Sequence, residues 1–158
     1  MKLELHTDRF GTIPVQKDKV ITFPKGILGF TRNKHYLLIP HSENSPFFWL
    51  QSIDDGDLAF VVMSPKFVTA DYTVDIGQEV LDELRTEQID DLEIFCIVTI
   101  PQGKPEAMTV NLLGPILINA HSRCAVQVIT DAGTYSHRHP VLGEKKTLSG
   151  MSGETPPV

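Results

Sequence analysis

The sequence predicts a mainly β protein, a compact antiparallel barrel-like or sandwich domain of about nine to ten short strands with one short helix. Three observations carry this. Short runs rich in Val, Ile, Phe and Thr recur along the chain, Gly, Pro and Asp separate them, and a single segment has helical period. With 158 residues, 41% of them hydrophobic and 22% charged, the chain suits one core without help from a disulfide or a metal. The expected domain spans 1–142.

Taken in order, Leu3 to Thr7 and Thr12 to Val15 read as paired strands turned near Gly11. Further strands are expected at Val20 to Phe23, Tyr36 to Ile39, Phe47 to Gln51, Leu58 to Met63, Leu92 to Ile100, Met108 to Leu113, Ile116 to Asn119 and Ala125 to Thr130. Many short strands share one core only by folding a sheet over or closing it. The clearest hairpin turns at Asp54-Asp55-Gly56-Asp57, where Asp-Gly is expected to supply positive backbone dihedrals. Those residues lack the spacing and the distal Glu of a calcium loop. In Phe47-Phe48-Trp49-Leu50 both faces are apolar, so the strand is buried on both sides and Trp49 is expected in the core.

The helical segment runs from about Ile76 to about Arg85. Asp75 is the expected N-cap, Gln78 its capping-box partner, and Ile76, Val80, Leu81 and Leu84 form the apolar stripe. After Leu142 the chain is crowded with Gly, Ser and Pro, and residues 143–158 are expected to be a disordered tail.

Charge narrows the function. From Asp54 to Glu93 there are twelve acids and two bases, whereas the other 118 residues carry eight acids and twelve bases. An acidic face repels phosphate and steers a basic partner, so direct nucleic-acid binding is not expected. No apolar stretch reaches the length of a membrane span and the N-terminus lacks a signal-peptide core, so a cytoplasmic protein is expected. Cys96 and Cys124 read as free thiols, Cys96 within the apolar run Ile94 to Val98.

The chain has no Gly-rich phosphate loop, nucleophile elbow, His-Glu-x-x-His or Cys-x-x-Cys. His137 and His139 share a strand face and are the one pair that suggests metal chelation. They support an alternative reading as a metal-dependent hydrolase. A second alternative is a small β-barrel that holds a ligand inside, against which the density of large side chains argues.

Three motifs, in series, resemble the bacterial flagellar assembly factor FliW family. They are Phe23-Pro24-Lys25-Gly26-Ile27-Leu28-Gly29-Phe30, Phe48 to Asp54 running into Asp57-Leu58-Ala59-Phe60, and Thr109-Val110-Asn111-Leu112 running into Pro115 to Asn119; a weaker match spans Tyr135 to Pro140. The resemblance implies a barrel-like β fold and a non-enzymatic factor without cofactor or metal. It also implies two partners, flagellin and the RNA-binding translational regulator CsrA, which the factor antagonises when free of flagellin. A monomer is expected when unbound. The positions expected to touch a partner are Asp71, Tyr72, Asp75, Asn111 and Leu113: acids and an aromatic anchor in one segment, and a strand that sits at an edge in the other.

Overall fold

The computed structural model describes residues 3–130 and 133–142. All ten expected strands form, and one more is added. They are β1 (Leu3–Thr7), β2 (Gly11–Val15), β3 (Ile21–Thr22), β4 (His35–Pro40), β5 (Phe47–Ser52), β6 (Ala59–Met63), β7 (Leu92–Thr99), β8 (Thr109–Val110), β9 (Ile116–Asn119), β10 (Cys124–Gln127) and β11 (His139–Pro140). One α-helix, α1 (Gln78–Glu83), lies between β6 and β7.

β7, β6, β5, β4, β3, β10 and β9 follow one another around a sheet, and β9 returns to β7, which closes a seven-stranded barrel. Closure depends on a fork in β7. Leu92 to Phe95 pair with β9, while Val98 and Thr99 pair with β8, which carries β11 on its far side. All pairings are antiparallel except the short contact of Cys124 with Thr22, where β10 meets β3 in parallel. β1 and β2 form a separate hairpin.

The barrel interior is packed with Phe23, Tyr36, Leu50, Val62, Phe95, Ile116 and Ile118. Edge-on aromatic pairs tie its walls together, Phe23 to Tyr36 at 5.1 Å and Phe48 to Phe95 at 5.3 Å. These side chains take the place of a ligand along the axis. Tyr36 is fully buried with no hydrogen-bond partner for its hydroxyl among the described residues, and burial, with Asp54 nearby, pushes that hydroxyl up to about 12.

Outside the barrel, α1 and the extended segment before it cover β7, β9 and β10. Leu84 packs on Leu92, Leu117 and Val126, and Tyr72 and Val74 pack on Cys96 and Val98. Ile94 to Val98 is therefore a continuous apolar run because both of its faces are covered. Cys96 is a buried free thiol, as expected, and burial raises it to about 12, so it stays protonated.

Five local expectations are corrected. The helix is shorter than Ile76 to Arg85 and is capped by Gly77 without a side-chain bond; the Gln78 amide instead donates to Asp82 at 2.9 Å. Asp75 does not cap it, because Tyr72 and Val74 are buried at alternate positions and hold the chain extended into that region. Gly56 lacks a positive φ; it is needed because a Cβ there would collide with the His6 carbonyl oxygen. Trp49 lies on the outer wall, half-buried under the N-terminal hairpin, with the Arg9 guanidinium 4.1 Å from its ring centroid and Phe10 edge-on at 6.0 Å. The strand expected over Met108 to Leu113 shrinks to β8, because the Asn111 side chain accepts from the backbone of Leu113 and Gly114 and turns the chain. The expected tail, residues 143–158, lies outside the described residues.

Candidate partner-binding surface

Within the acid-rich stretch, three acids from α1 onward gather around one hollow, whereas Asp54 lies apart, bonded to Lys34 and His35. Helix α1 exposes Glu79 and Asp82, the chain after it exposes Glu87, and the 3-10 turn Ile89–Asp91 exposes Asp90 and Asp91. Asp82, Glu87 and Asp91 line a shallow cavity of about 460 Å³ with Arg85, Thr86 and Gln88. The fold sets these acids on the outside because α1 turns its apolar stripe, Val80, Leu81 and Leu84, onto the barrel wall. Its end is fixed by the Arg85 N–H donating to Asp82 O and the Thr86 N–H to Leu81 O, a paired C-terminal cap with Arg85 in the left-handed region at φ 59°. One exposed ion pair, Lys25 to Glu83 at 2.9 Å, ties this helix to the loop that follows β3.

That loop shapes a second feature. Phe23 is buried at its start, Gly26 turns with φ 70°, and Ile27 plugs the core. A Cβ on Gly26 would lie 2.6 Å from Thr31 Cα, so no other residue fits without moving the backbone. The turn displays Leu28, 74% exposed, at the rim of a groove of about 510 Å³. Ile97, Thr99, Thr109, Asn111, Gln127 and Arg138 are among its walls, so the groove opens where β7 leaves β9 for β8. Gln127 secures the rim: its oxygen accepts from the Leu28 N–H at 2.9 Å and its amide donates to Gly114 O at 3.0 Å.

The FliW protein family model matches residues 4–141, nearly the whole described chain. The chain belongs to the FliW family. It is 45% identical over 145 residues to the flagellar assembly factor FliW of Caldanaerobacter subterraneus subsp. tengcongensis, covering 91% of this chain and 96% of that one. It is 37% identical over 140 residues to the FliW of Magnetococcus marinus, covering 89% and 85%. A crystal structure of the flagellar assembly factor FliW superposes with a TM-score of 0.82 at 29% identity, covering 90% of this chain and 99% of that one. The FliW resemblance of the three motifs and the barrel-like fold that it implied are thereby established for this chain.

Within this FliW fold the five expected contact positions separate. Asp71 and Asp75 are exposed, Asp71 accepting from the Thr69 hydroxyl at 3.0 Å. Tyr72 is not an exposed anchor: it is 3% exposed, its ring lies 4.5 Å from that of Tyr135, and its hydroxyl donates to Leu112 O. Burial, with the Cys96 thiol adjacent, drives that hydroxyl far above the usual tyrosine range. Asn111 serves the turn after β8 and also lines the groove beside Leu28. Leu113 is half-buried and faces a different hollow, formed with Gly133, Tyr135 and His137. β8 is not a free edge, since β11 covers it.

His137 is exposed and His139 pairs with Val110 in the sheet. Among the described residues no group of three or more His, Cys, Asp or Glu is arranged to hold a metal ion. The sequence reading missed Leu28 and Gln127. The signal for Leu28 was present in Gly26-Ile27-Leu28-Gly29, a large apolar residue held between two turn glycines.

Proposed function

We propose that this protein binds flagellin and, when free of it, binds and antagonises the RNA-binding translational regulator CsrA, so that flagellin export governs flagellin translation. It acts as a cytoplasmic, non-enzymatic titration switch that uses neither cofactor nor metal. Membership of a family of flagellar assembly factors supports the flagellar context. The observation that carries the regulator half is the acidic surface of α1 and the 3-10 turn after it, with Asp82, Glu87 and Asp91 around one hollow and Asp71 and Asp75 exposed on the segment leading in. A protein that grips RNA presents clustered Lys and Arg, and such a surface is complementary to this one. The groove under Leu28, with Asn111 in its wall, offers apolar contact to flagellin.

Titration calorimetry with purified flagellin and purified CsrA tests both halves. Flagellin added to the complex with the regulator is expected to displace the regulator. Charge reversal at Asp82, Glu87 and Asp91 together is expected to weaken regulator binding by about tenfold or more, with a flatter salt dependence. Leu28→Asp is expected to weaken flagellin alone. Absence of binding to either protein by the folded chain overturns the reading.

A further inference from the structure

Adjoining the acid-lined hollow, with which it shares Arg85, a cavity of about 590 Å³ is lined by Lys17, Val20, Thr22, Pro24, Arg85, Ser122, Arg123 and Cys124. Three cations from three separate segments meet there, and its lining holds no carboxylate. This is unusual in a chain whose net charge is −6. Of the neighbouring acids, Glu83 holds Lys25, Asp82 accepts from Gln78 and Asp91 accepts from the Thr86 hydroxyl, while Glu87 lines the adjoining hollow with Arg85. Among the described residues neither Lys17 nor Arg85 has an ion-pair partner.

The backbone supplies a second observation. Arg85 and Arg123, both at φ 59°, are the non-glycine residues with positive φ among those described, and both line this cavity. Each sits where glycine or asparagine is the less strained choice, one closing α1 and the other closing the turn from β9 to β10. Strained positions held by a specific side chain concentrate at functional sites. The Arg123 side chain is also preorganised. Its Nη2 donates to Lys19 O at 2.8 Å, which fixes the guanidinium, while its Nε is buried without a hydrogen-bond partner among the described residues. The Thr22 hydroxyl makes no hydrogen bond among the described residues, whereas the Ser122 hydroxyl is committed to Leu84 O.

We propose that this cavity is an oxyanion site that takes a phosphate group, with the Arg123 and Arg85 guanidinium groups and the Lys17 ammonium supplying charge and the Thr22 hydroxyl supplying a further donor. Planar guanidinium forks match phosphate oxygens, and an ammonium adds a mobile point charge. The site meets the acidic hollow at Arg85, which lines both, and shares no lining residue with the groove under Leu28.

The test is amide NMR of the full chain in phosphate-free buffer, titrated with inorganic phosphate and, in a parallel arm, with glycerol phosphate. Saturable shifts centred on Thr22, Arg85, Arg123 and Cys124 are expected, and the tighter of the two probes identifies a free or an esterified phosphate as the better ligand. Arg85→Gln with Arg123→Gln is expected to weaken the tighter probe by about tenfold or more, with the rest of the spectrum unchanged. Lys66→Gln, remote from the cavity, is expected to leave affinity unaltered. Thr22→Val keeps every charge and is expected to weaken binding by a smaller factor. Non-saturable shifts, shifts reproduced by sodium chloride at matched ionic strength, or an unchanged affinity in the double arginine variant overturn the proposal.

Discussion

The Tyr72 hydroxyl donates to the Leu112 carbonyl oxygen at 2.7 Å, and this bond joins the acidic segment before α1 to the turn that ends β8. The two stretches of sequence singled out as contact regions are therefore linked through the core. A change at Tyr72 therefore reaches both through the core.

Tyr72→Phe removes that donor, yet Leu112 O keeps a second one, the Thr130 hydroxyl at 3.2 Å. The expected loss is about 1 kcal/mol in urea denaturation, whereas Tyr72→Ala, which also opens a cavity beside Cys96 and Tyr135, is expected to cost about 3–5 kcal/mol. Equal effects of the two would show that the hydroxyl rather than the ring holds the segment.

Gly26 and Gly29 both have positive φ, but their surroundings differ. A Cβ on Gly26 meets Thr31 Cα at 2.6 Å and Phe30 O at 2.9 Å, while one on Gly29 meets nothing within 4 Å. Gly29→Ala is expected to cost only the conformational strain, about 1–2 kcal/mol. Gly26→Ala adds a forced displacement of the loop, a further loss of about 1–3 kcal/mol. Comparison of the two melting temperatures checks the difference.

Asp54 predicts a dependence on acid pH. Burial works against its charge, but the backbone N–H groups of Lys34 and His35 and the His35 ring outweigh it and hold the carboxyl below the usual carboxylate range. A carboxyl lowered in the folded state contributes its stability above the unfolded value of about 3.9 and loses it as the pH falls through the folded value. Wild type is expected to exceed Asp54→Asn in stability at neutral pH, with the gap closing in acid below that value. A gap that is constant with pH would mean that the carboxylate charge contributes nothing.

Arg85 closes α1 with left-handed backbone, where glycine removes the penalty of the Cβ. Arg85→Gly is expected to raise stability, by up to about 1 kcal/mol, while weakening phosphate. Arg123→Gly gains less, because it forfeits the bond from Nη2 to Lys19 O. Urea titration of both variants alongside the NMR titration separates the strain from the ligand.

Much of this protein was determined by local sequence. Alternation of apolar residues and the turn residues between them located ten strands, and the runs Phe47 to Leu50 and Ile94 to Val98 announced walls covered on both faces. The motif from Phe23 to Phe30 pointed to the family for a physical reason, since Gly26 and Ile27 each answer to a close packing demand. Helix length, by contrast, was set by tertiary contacts: burial of Tyr72 and Val74 overrode the cap that Asp75 offers, because two core side chains outweigh one N-terminal hydrogen bond.

Only the tertiary structure decided which charges meet. The sequence counts acids between Asp54 and Glu93, but closure of β7 onto β9 is what places Asp82, Glu87 and Asp91 around one hollow and removes Tyr72 from the surface. Lys17, Arg85 and Arg123 are distant along the chain and share a cavity because β10 lies beside β3 while α1 packs against β10. Hydrophobic periodicity is a property of neighbouring residues and is read locally, whereas the approach of distant charges depends on how the barrel closes.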